Sequence, residues 1–250
     1  MEKSYYKEYH HLERSHWWFQ ARADILMAHI AKVFEGRNNL KILNIGVATG
    51  RSSELLMQFG EVLSLEYDKD CFEFVKNNLS IPIVNGSILD LPFDDEQFDL
   101  VCAFDVIEHV VDDHSAVSEM RRVCQKGGVM CVTVPAFMFL WSEHDVVNHH
   151  YRRYTAPILR GVFGKTDINI FHSYFNFWLF FPIAAFRLLS KILPSKKYKS
   201  AKEARSDFGV LKGNFINKLF YNIFHSENFF LKKFIQLPVG VSILSTWRKV

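Results

Sequence analysis

Residues 40–50 read Leu-Lys-Ile-Leu-Asn44-Ile-Gly46-Val-Ala-Thr-Gly50, and an acid, Glu66, closes the next apolar run. An apolar run that ends in a glycine-bearing turn reads as a buried strand feeding a helix, with the acid at the end of a second strand. Gly46 and Gly50 let backbone approach a ligand where a Cβ would clash. The Glu66 carboxylate can accept both hydrogen bonds of a ribose diol. This spacing points to a nucleoside-binding crevice. Further along, His109, His144 and His150 are candidates for activating an acceptor, because a neutral imidazole can take a proton near pH 7. His144 has Glu143 and Asp145 beside it as partners, and Arg152 and Arg153 could clamp a carboxylate or phosphate. The cluster of His144, His149 and His150 does not have a standard zinc spacing and has few acids nearby, so no metal is expected.

The elements that would position these groups alternate. A helix is predicted over 17–34, with Phe19, Ala23, Leu26, Ile30 and Val33 at spacings of three and four, ended by Gly36 and Asn38-Asn39. Strands at 42–45, 62–65, 81–84, 98–104 and 129–134 alternate with helices at 51–59, 69–78 and 115–124. That alternation predicts a doubly wound α/β sheet. Residues 136–154 carry aromatics and histidines without periodicity and read as an active-site loop. Thr155 is placed to cap a short helix with Pro157 in its first turn. A strand at 167–171, an aromatic helix at 177–193, a polar basic stretch at 194–213, a helix at 215–230 and a last strand at 241–248 complete the chain. There is no internal repeat.

Together these pieces resemble the class I S-adenosylmethionine-dependent methyltransferases. The resemblance spans most of residues 40–135. The family's D-x-G-x-G-x-G is matched by Asn44 through Gly50, and its ribose-binding acid by Glu66. Its adenine loop is matched by Gly86-Ser87, Leu91-Pro92-Phe93 and Phe98-Asp99. Asp105-Val-Ile-Glu108-His109-Val resembles its D-V-L-E-H-V segment, and Lys126-Gly127-Gly128 its turn before the fifth strand. The flanks are narrower matches. His16-Trp17-Trp18-Phe19-x-x-Arg22 looks like the H-W-W-F-x-x-R opening of one bacterial subgroup. Leu140-Trp141-Ser142-Glu143-His144-Asp145, His150-Tyr151-Arg152-Arg153-Tyr154-Thr155 and the Leu237-Pro238 closing segment resemble that subgroup's later blocks.

The resemblance implies a Rossmann-like seven-stranded sheet with helices on both faces, its last strand antiparallel. An N-terminal helical lid and a C-terminal helical insertion would cover it. One methyltransferase domain would fill 1–250, divided into a cap at 1–38, a cofactor core at 39–135 and an acceptor side at 136–250. S-adenosylmethionine would be bound by Asn44, Gly46, Gly50, Glu66, Tyr67, Ser87, Ile88 and Asp105. Trp17, Trp141, Tyr151 and Arg153 would line the acceptor side, with Trp17, Trp18 and Trp141 suited to a dry lid near a cationic sulfur. Two positions depart from the family pattern: Asn44 and Ser87 each replace an Asp, at about 1 kcal/mol of cofactor binding apiece.

The expected reaction is methylation, at oxygen, of a small or lipid-linked acceptor. Two alternatives stand beside it: a degenerate cofactor-binding module, or a membrane adaptor without turnover. A dinucleotide enzyme fits worse, since the G-x-G-x-x-G spacing is missing. Base methylation of nucleic acid is disfavoured because Ala103-Phe104-Asp105-Val106 stands where (D/N)-P-P-Y would be. At 250 residues, 49% hydrophobic and +3 net charge, the chain can build a full core and carries no global polyanion signal. The positive charge is local: seven basic residues and one acid lie between Arg187 and Arg205. With the aromatic helix before them, they suit an anionic membrane surface. No C-x-x-C, no signal-like N-terminus and no long apolar run are present. The expectation is therefore a cytoplasmic protein with reduced cysteines at 71, 102, 124 and 131, peripheral at most to the inner membrane face.

Overall fold

The computed structural model describes residues 3–192 and 214–250. Most of the basic stretch, with Lys196, Lys197, Lys199 and Lys202, lies outside the described residues. The alternating pattern folds as expected into one sheet of seven strands in the order β3-β2-β1-β4-β5-β7-β6. The strands are β1 (Leu40–Ile45), β2 (Gly60–Glu66), β3 (Ile83–Asn85), β4 (Phe98–Phe104), β5 (Cys124–Pro135), β6 (Ile168–Phe175) and β7 (Ser242–Arg248). β1 pairs in parallel with both β2 and β4, so the strand order reverses there and opens a crevice at the carboxyl edge. β7 runs antiparallel between β5 and β6.

Period-two alternation sends the side chains of β1 into two cores. Leu43 and Ile45 join α5 (Asp113–Val123) and α7 (Ala156–Phe163) on one face. Leu40 and Ile42 join α2 (Trp17–Val33), α9 (Asn214–His225) and α10 (Asn228–Leu231) on the other. α2 buries Trp17, Ala21, Ile25, Leu26, His29 and Ile30 along one stripe, and the chain leaves it through Glu35 and Gly36, both at positive φ. α3 (Arg51–Leu56) and α4 (Lys69–Asn78) are the first two crossovers. The four cysteines are free and buried.

Five expectations need correction or extension. A helix, α1 (Lys3–Ser15), precedes α2 within the expected N-terminal cap, where no separate helix was predicted. The 136–154 stretch is not a plain loop: it holds a 3₁₀ turn (Met138–Leu140) and the short helix α6 (Glu143–Val147), whose Ser142/Asp145 capping box supplies the start signal. The 215–230 helix is two helices, α9 and α10. Thr155 sits at the N-cap of α7, but its side chain makes no capping bond. The aromatic helix, α8 (Phe180–Ile192), starts three residues later than expected.

His29 is buried, with Nε2 2.7 Å from Thr246 Oγ1, and burial lowers its pKa to about 4 from 6.5. The unfolded chain therefore binds a proton that the fold excludes, and stability is lost as pH falls through 6.5 towards 4. Between pH 7 and pH 5 this histidine should cost about 2 kcal/mol. Denaturant melts at the two pH values, repeated on His29→Leu, should show that increment vanish from the variant. An unchanged pH slope would refute the assignment.

Candidate active site

The carboxyl edge of the sheet opens into one large cavity of about 1720 Å³ that combines a cleft beside β1 and β2 with a deeper pocket under α2 and α8. Strain gathers along this edge. Ala48, Asp105, Phe137 and Asn176, which follow β1, β4, β5 and β6, all take positive φ without being glycine.

On the cleft side, Glu66 ends β2 almost buried. Its Oε2 accepts from the Ala48 N–H and its Oε1 from the Asp68 N–H, each at 3.0 Å. Burial raises its pKa, opposed by those two amides. Each carboxylate oxygen keeps lone-pair capacity for a further donor, so a ribose diol can be received without dismantling the turn. Tyr67 is exposed on the rim, and Ser87 and Ile88 form the opposite wall. Ser87 Oγ accepts from the Leu89 N–H at 3.1 Å, which fixes the loop that carries them. The site thus offers what a nucleoside cofactor needs: an acid for the sugar, backbone amides at the turn, and an apolar wall for the base.

Three assignments on this side change. Gly46 and Gly50 each have a reason within the fold itself, and Gly46 also lines the cavity. Both take positive φ; a Cβ on Gly46 would lie 2.6 Å from Val106, and one on Gly50 2.7 Å from Leu79. Gly50 and Asn44 also lie off the cavity wall. Asn44 is buried and donates from Nδ2 to Ser52 Oγ (2.8 Å) and Ser53 Oγ (2.9 Å), so it tethers the start of α3 rather than touching the cleft. Its Oδ1 has no hydrogen-bond partner.

The N-terminal segment closes the cleft from above. Thr49 donates its hydroxyl to Glu13 on α1, Arg14 pairs with Glu54 at 2.9 Å, and Tyr6 donates to Asp68 at 3.3 Å. Burial raises the Glu13 pKa to about 7, opposed first by the Thr49 bond. Arg22, on α2, donates from Nη2 to Asp105 Oδ2 and to Thr133 Oγ1, both at 2.7 Å, and lies over the Trp18 and Phe104 rings. This explains the H-W-W-F-x-x-R spacing: one helical turn carries an aromatic to the arginine that pins the lid to β4 and β5. Trp17 reaches the cavity edge but packs mainly on Phe220 and Phe224 of α9.

On the acceptor side, a polar cluster forms where β4 ends. Glu108 is fully buried at the cavity wall, and neither carboxylate oxygen has a hydrogen-bond partner. Burial raises its pKa well above the usual range, with Asp105 adding to the effect. The His109 and His150 rings meet edge to face at 4.5 Å between centroids. Loss of solvation, then the neighbouring His150, lowers the His109 pKa to about 4. Asp145, wholly buried, opposes His150 Nδ1 at 2.9 Å. Although burial pushes the Asp145 carboxyl up, the bonds from His150 and Arg153 hold it well below its ordinary range.

His144 was expected to pair with Asp145 or Glu143, whereas Asp145 holds His150 and Arg153. α6 turns His144 towards Asn148 instead, whose Nδ2 lies 3.2 Å from His144 Nε2. Arg153 is no acceptor clamp. Nε and Nη2 bind Asp145 at 2.7 and 2.9 Å, and Nη1 donates to the Ala136 carbonyl, so every nitrogen is engaged. Arg152 is likewise tied, to Asp113 at 3.0 Å. Trp141 lies off the cavity and Leu140 lines it instead, whereas Tyr151 is exposed at the mouth. Sequence reasoning missed Glu13, Arg22 and Glu108. The last two lie in the quoted motifs, and the spacing of Asp105, Glu108 and His109 on one tight turn was the available signal.

The strand order and its antiparallel β7 define the class I, Rossmann-like methyltransferase fold. A Haloferax volcanii methyltransferase, solved with the Trm112 methyltransferase activator, shares it. The superposition has a TM-score of 0.55 at 15% identity over 95% of this chain and 91% of that one. Residues 43–132, about a third of the chain, match the family described as "Methyltransferase domain". A probable S-adenosylmethionine-dependent methyltransferase of Mycolicibacterium smegmatis is 31% identical over 126 residues, covering 50% of this chain and 48% of that protein. A Staphylococcus epidermidis demethylmenaquinone methyltransferase is 31% identical over 138 residues, covering 50% of this chain and 54% of that protein. The chain therefore spans about half the length of the curated relatives it matches.

Proposed function

We infer that this chain transfers a methyl group from S-adenosylmethionine to an oxygen of a small or lipid-linked acceptor. The observation that carries this reading is the Glu66 carboxylate at the carboxyl end of β2, facing the 46–50 turn at the point where strand order reverses. When bound, S-adenosylmethionine supplies a methyl group made electrophilic by its sulfonium. Glu66 holds the ribose diol, Tyr67 covers it, and Ser87 and Ile88 face the adenine. Asp105, steadied by Arg22 and Thr133, brings a carboxylate to the cofactor's polar end. α1 and α2 exclude water, which favours an in-line displacement. His150, oriented by Asp145, and His109 receive and activate the acceptor's nucleophilic group, with Tyr151 at the entrance.

Much of the remaining wall is apolar, with Leu26, Met27, Leu179, Ile183, Phe186 and Phe220, although Asn176 and Arg187 also reach it. It suits an acceptor with an apolar tail. The demethylmenaquinone methyltransferases among the relatives act, by name, on a small molecule, which is consistent with this class. The test is calorimetry with S-adenosylhomocysteine, followed by mass spectrometry of a cell extract given methyl-labelled cofactor. Micromolar binding and one labelled small molecule or lipid support the reading. Binding without label would leave a cofactor-binding module, and no binding at all would remove methyl transfer.

A peripheral membrane role is favoured by one observation. α8 and the residues just before it expose Trp178, Phe181, Phe186, Leu188 and Leu189 next to the basic stretch of the sequence. Among the described residues no helix is long and apolar enough to cross a membrane. Changing Lys196, Lys197 and Lys199 to Glu should weaken binding to phosphatidylserine-containing vesicles several-fold at low salt. Unaltered co-sedimentation would dispose of the membrane contact.

A further inference from the structure

We propose that Glu108, His109 and His150 form a binding site for a first-row divalent cation, whose remaining coordination positions receive an oxygen of the acceptor. One ligand atom from each of the three residues lies within 4.8 Å of the others. Ligands at ~2.0–2.2 Å from a common ion sit roughly 3–3.5 Å apart. An ion would therefore draw the widest pair together by up to about 1.3–1.8 Å, through movement of the exposed His109 while His150 stays on Asp145.

Four observations point to a cation rather than to a packed polar cluster. First, Glu108 is 0% exposed, yet both of its oxygens are without hydrogen-bond partners at the cavity wall. A carboxyl group buried with both oxygens unpaired costs free energy even as the neutral acid, and a bound cation would offset that cost by favouring the carboxylate. Second, neither nearby arginine hydrogen-bonds to Glu108. Arg22 is bound to Asp105 and Thr133, and Arg153 to Asp145 and the Ala136 carbonyl. Third, His150 has its Nδ1 on Asp145, which leaves Nε2 for a ligand. A carboxylate behind a ligating imidazole is the arrangement that orients histidines at metal centres. Fourth, the Tyr151 N–H is bound to the Glu108 carbonyl at 2.8 Å, which ties the segment carrying His150 to the turn carrying Glu108 and His109.

One oxygen and two imidazole nitrogens suit zinc, manganese, iron or cobalt better than magnesium or calcium. Three protein ligands leave positions open for substrate. The acceptor class follows: a hydroxyl, with a second oxygen on the adjacent atom able to chelate. An ion held there would polarise the hydroxyl oxygen and lower the pKa of its O–H, with the proton leaving to water at the cavity mouth, so that His109 and His150 would act through the ion and not as bases. This deepens the methyl-transfer reading and rests on it for the role of the ion, though not for its binding.

The test uses the full chain, stripped with chelator and titrated with Co²⁺ alone. The expected result is one cobalt per chain with visible ligand-field absorption and micromolar affinity. Affinity should fall at least tenfold in His109→Ala and in His150→Ala, and stay unchanged in His114→Ala, an exposed histidine of α5. Glu108→Gln should also abolish the metal-induced rise in melting temperature, and if that variant fails to fold, the His109 variant at the cavity mouth carries the test. No saturable binding, or equal binding in the His109 and His150 variants, overturns the proposal. A chain that binds S-adenosylhomocysteine but not cobalt overturns this inference alone. One that binds cobalt but not the nucleoside leaves it standing and removes methyl transfer.

Discussion

Asp145→Ala should lower stability by about 3–5 kcal/mol, because it leaves the Arg153 guanidinium buried without its counter-charge. Arg153 is 7% exposed and Asp145 0%, and two parallel bonds of 2.7 and 2.9 Å join them. The same aspartate accepts the Ser142 N–H at 2.8 Å and holds His150, so its loss also frees α6. Denaturant unfolding of the wild type, Asp145→Ala, Arg153→Met and the double variant forms a cycle. The double variant should recover most of the loss, since no buried charge then remains unpaired. A single-variant loss below about 1 kcal/mol would mean that water reaches the pair and that it behaves as a surface bridge. Asp145→Asn, which keeps the shape, should weaken cobalt binding by roughly 10–100-fold through His150.

Glu66→Ala should weaken S-adenosylhomocysteine binding about 100-fold, near 3 kcal/mol, for the loss of two hydrogen bonds to a charged acceptor. Glu66→Gln should lose less, because its amide oxygen still accepts one of them. The global stability of the alanine variant should change little, since a buried carboxylate with a raised pKa contributes little to the fold while the Ala48 and Asp68 amides gain access to water. The pH dependence has a definite sign. Protonation removes the charged acceptor, so affinity is present above the raised pKa and is lost as pH falls through it. Calorimetry across that range, with the Gln variant as a pH-insensitive control, checks this. Equal affinity in Glu66→Ala and wild type would place the nucleoside elsewhere.

The cleft beside β1 and β2 was legible because it is local. Strand, turn, helix and acid lie within residues 40–66, and their order follows from apolar periodicity and the glycine turn. The reasons for the glycines were not legible. Gly46 and Gly50 are dictated by Val106 and Leu79, residues that only folding brings near. α1 went unread because its thirteen residues are polar on average, and what holds it is Glu13, Arg14 and Tyr6 reaching the cleft.

The sequence by itself determined the doubly wound sheet, the crevice beside β1 and the acid that faces it. These depend on repeat distances of two and 3.6 residues and on contacts between near neighbours in the chain. Only the tertiary structure decided which histidine stands on Asp145, that Arg153 is consumed within the wall, and that Glu108 is left alone beside His109 and His150. Those pairings join residues 5 to 42 positions apart through helices and turns whose exact rotation fixes where each side chain points. A shift of one residue in α6 would exchange His144 for another partner, and no spacing rule carries that information.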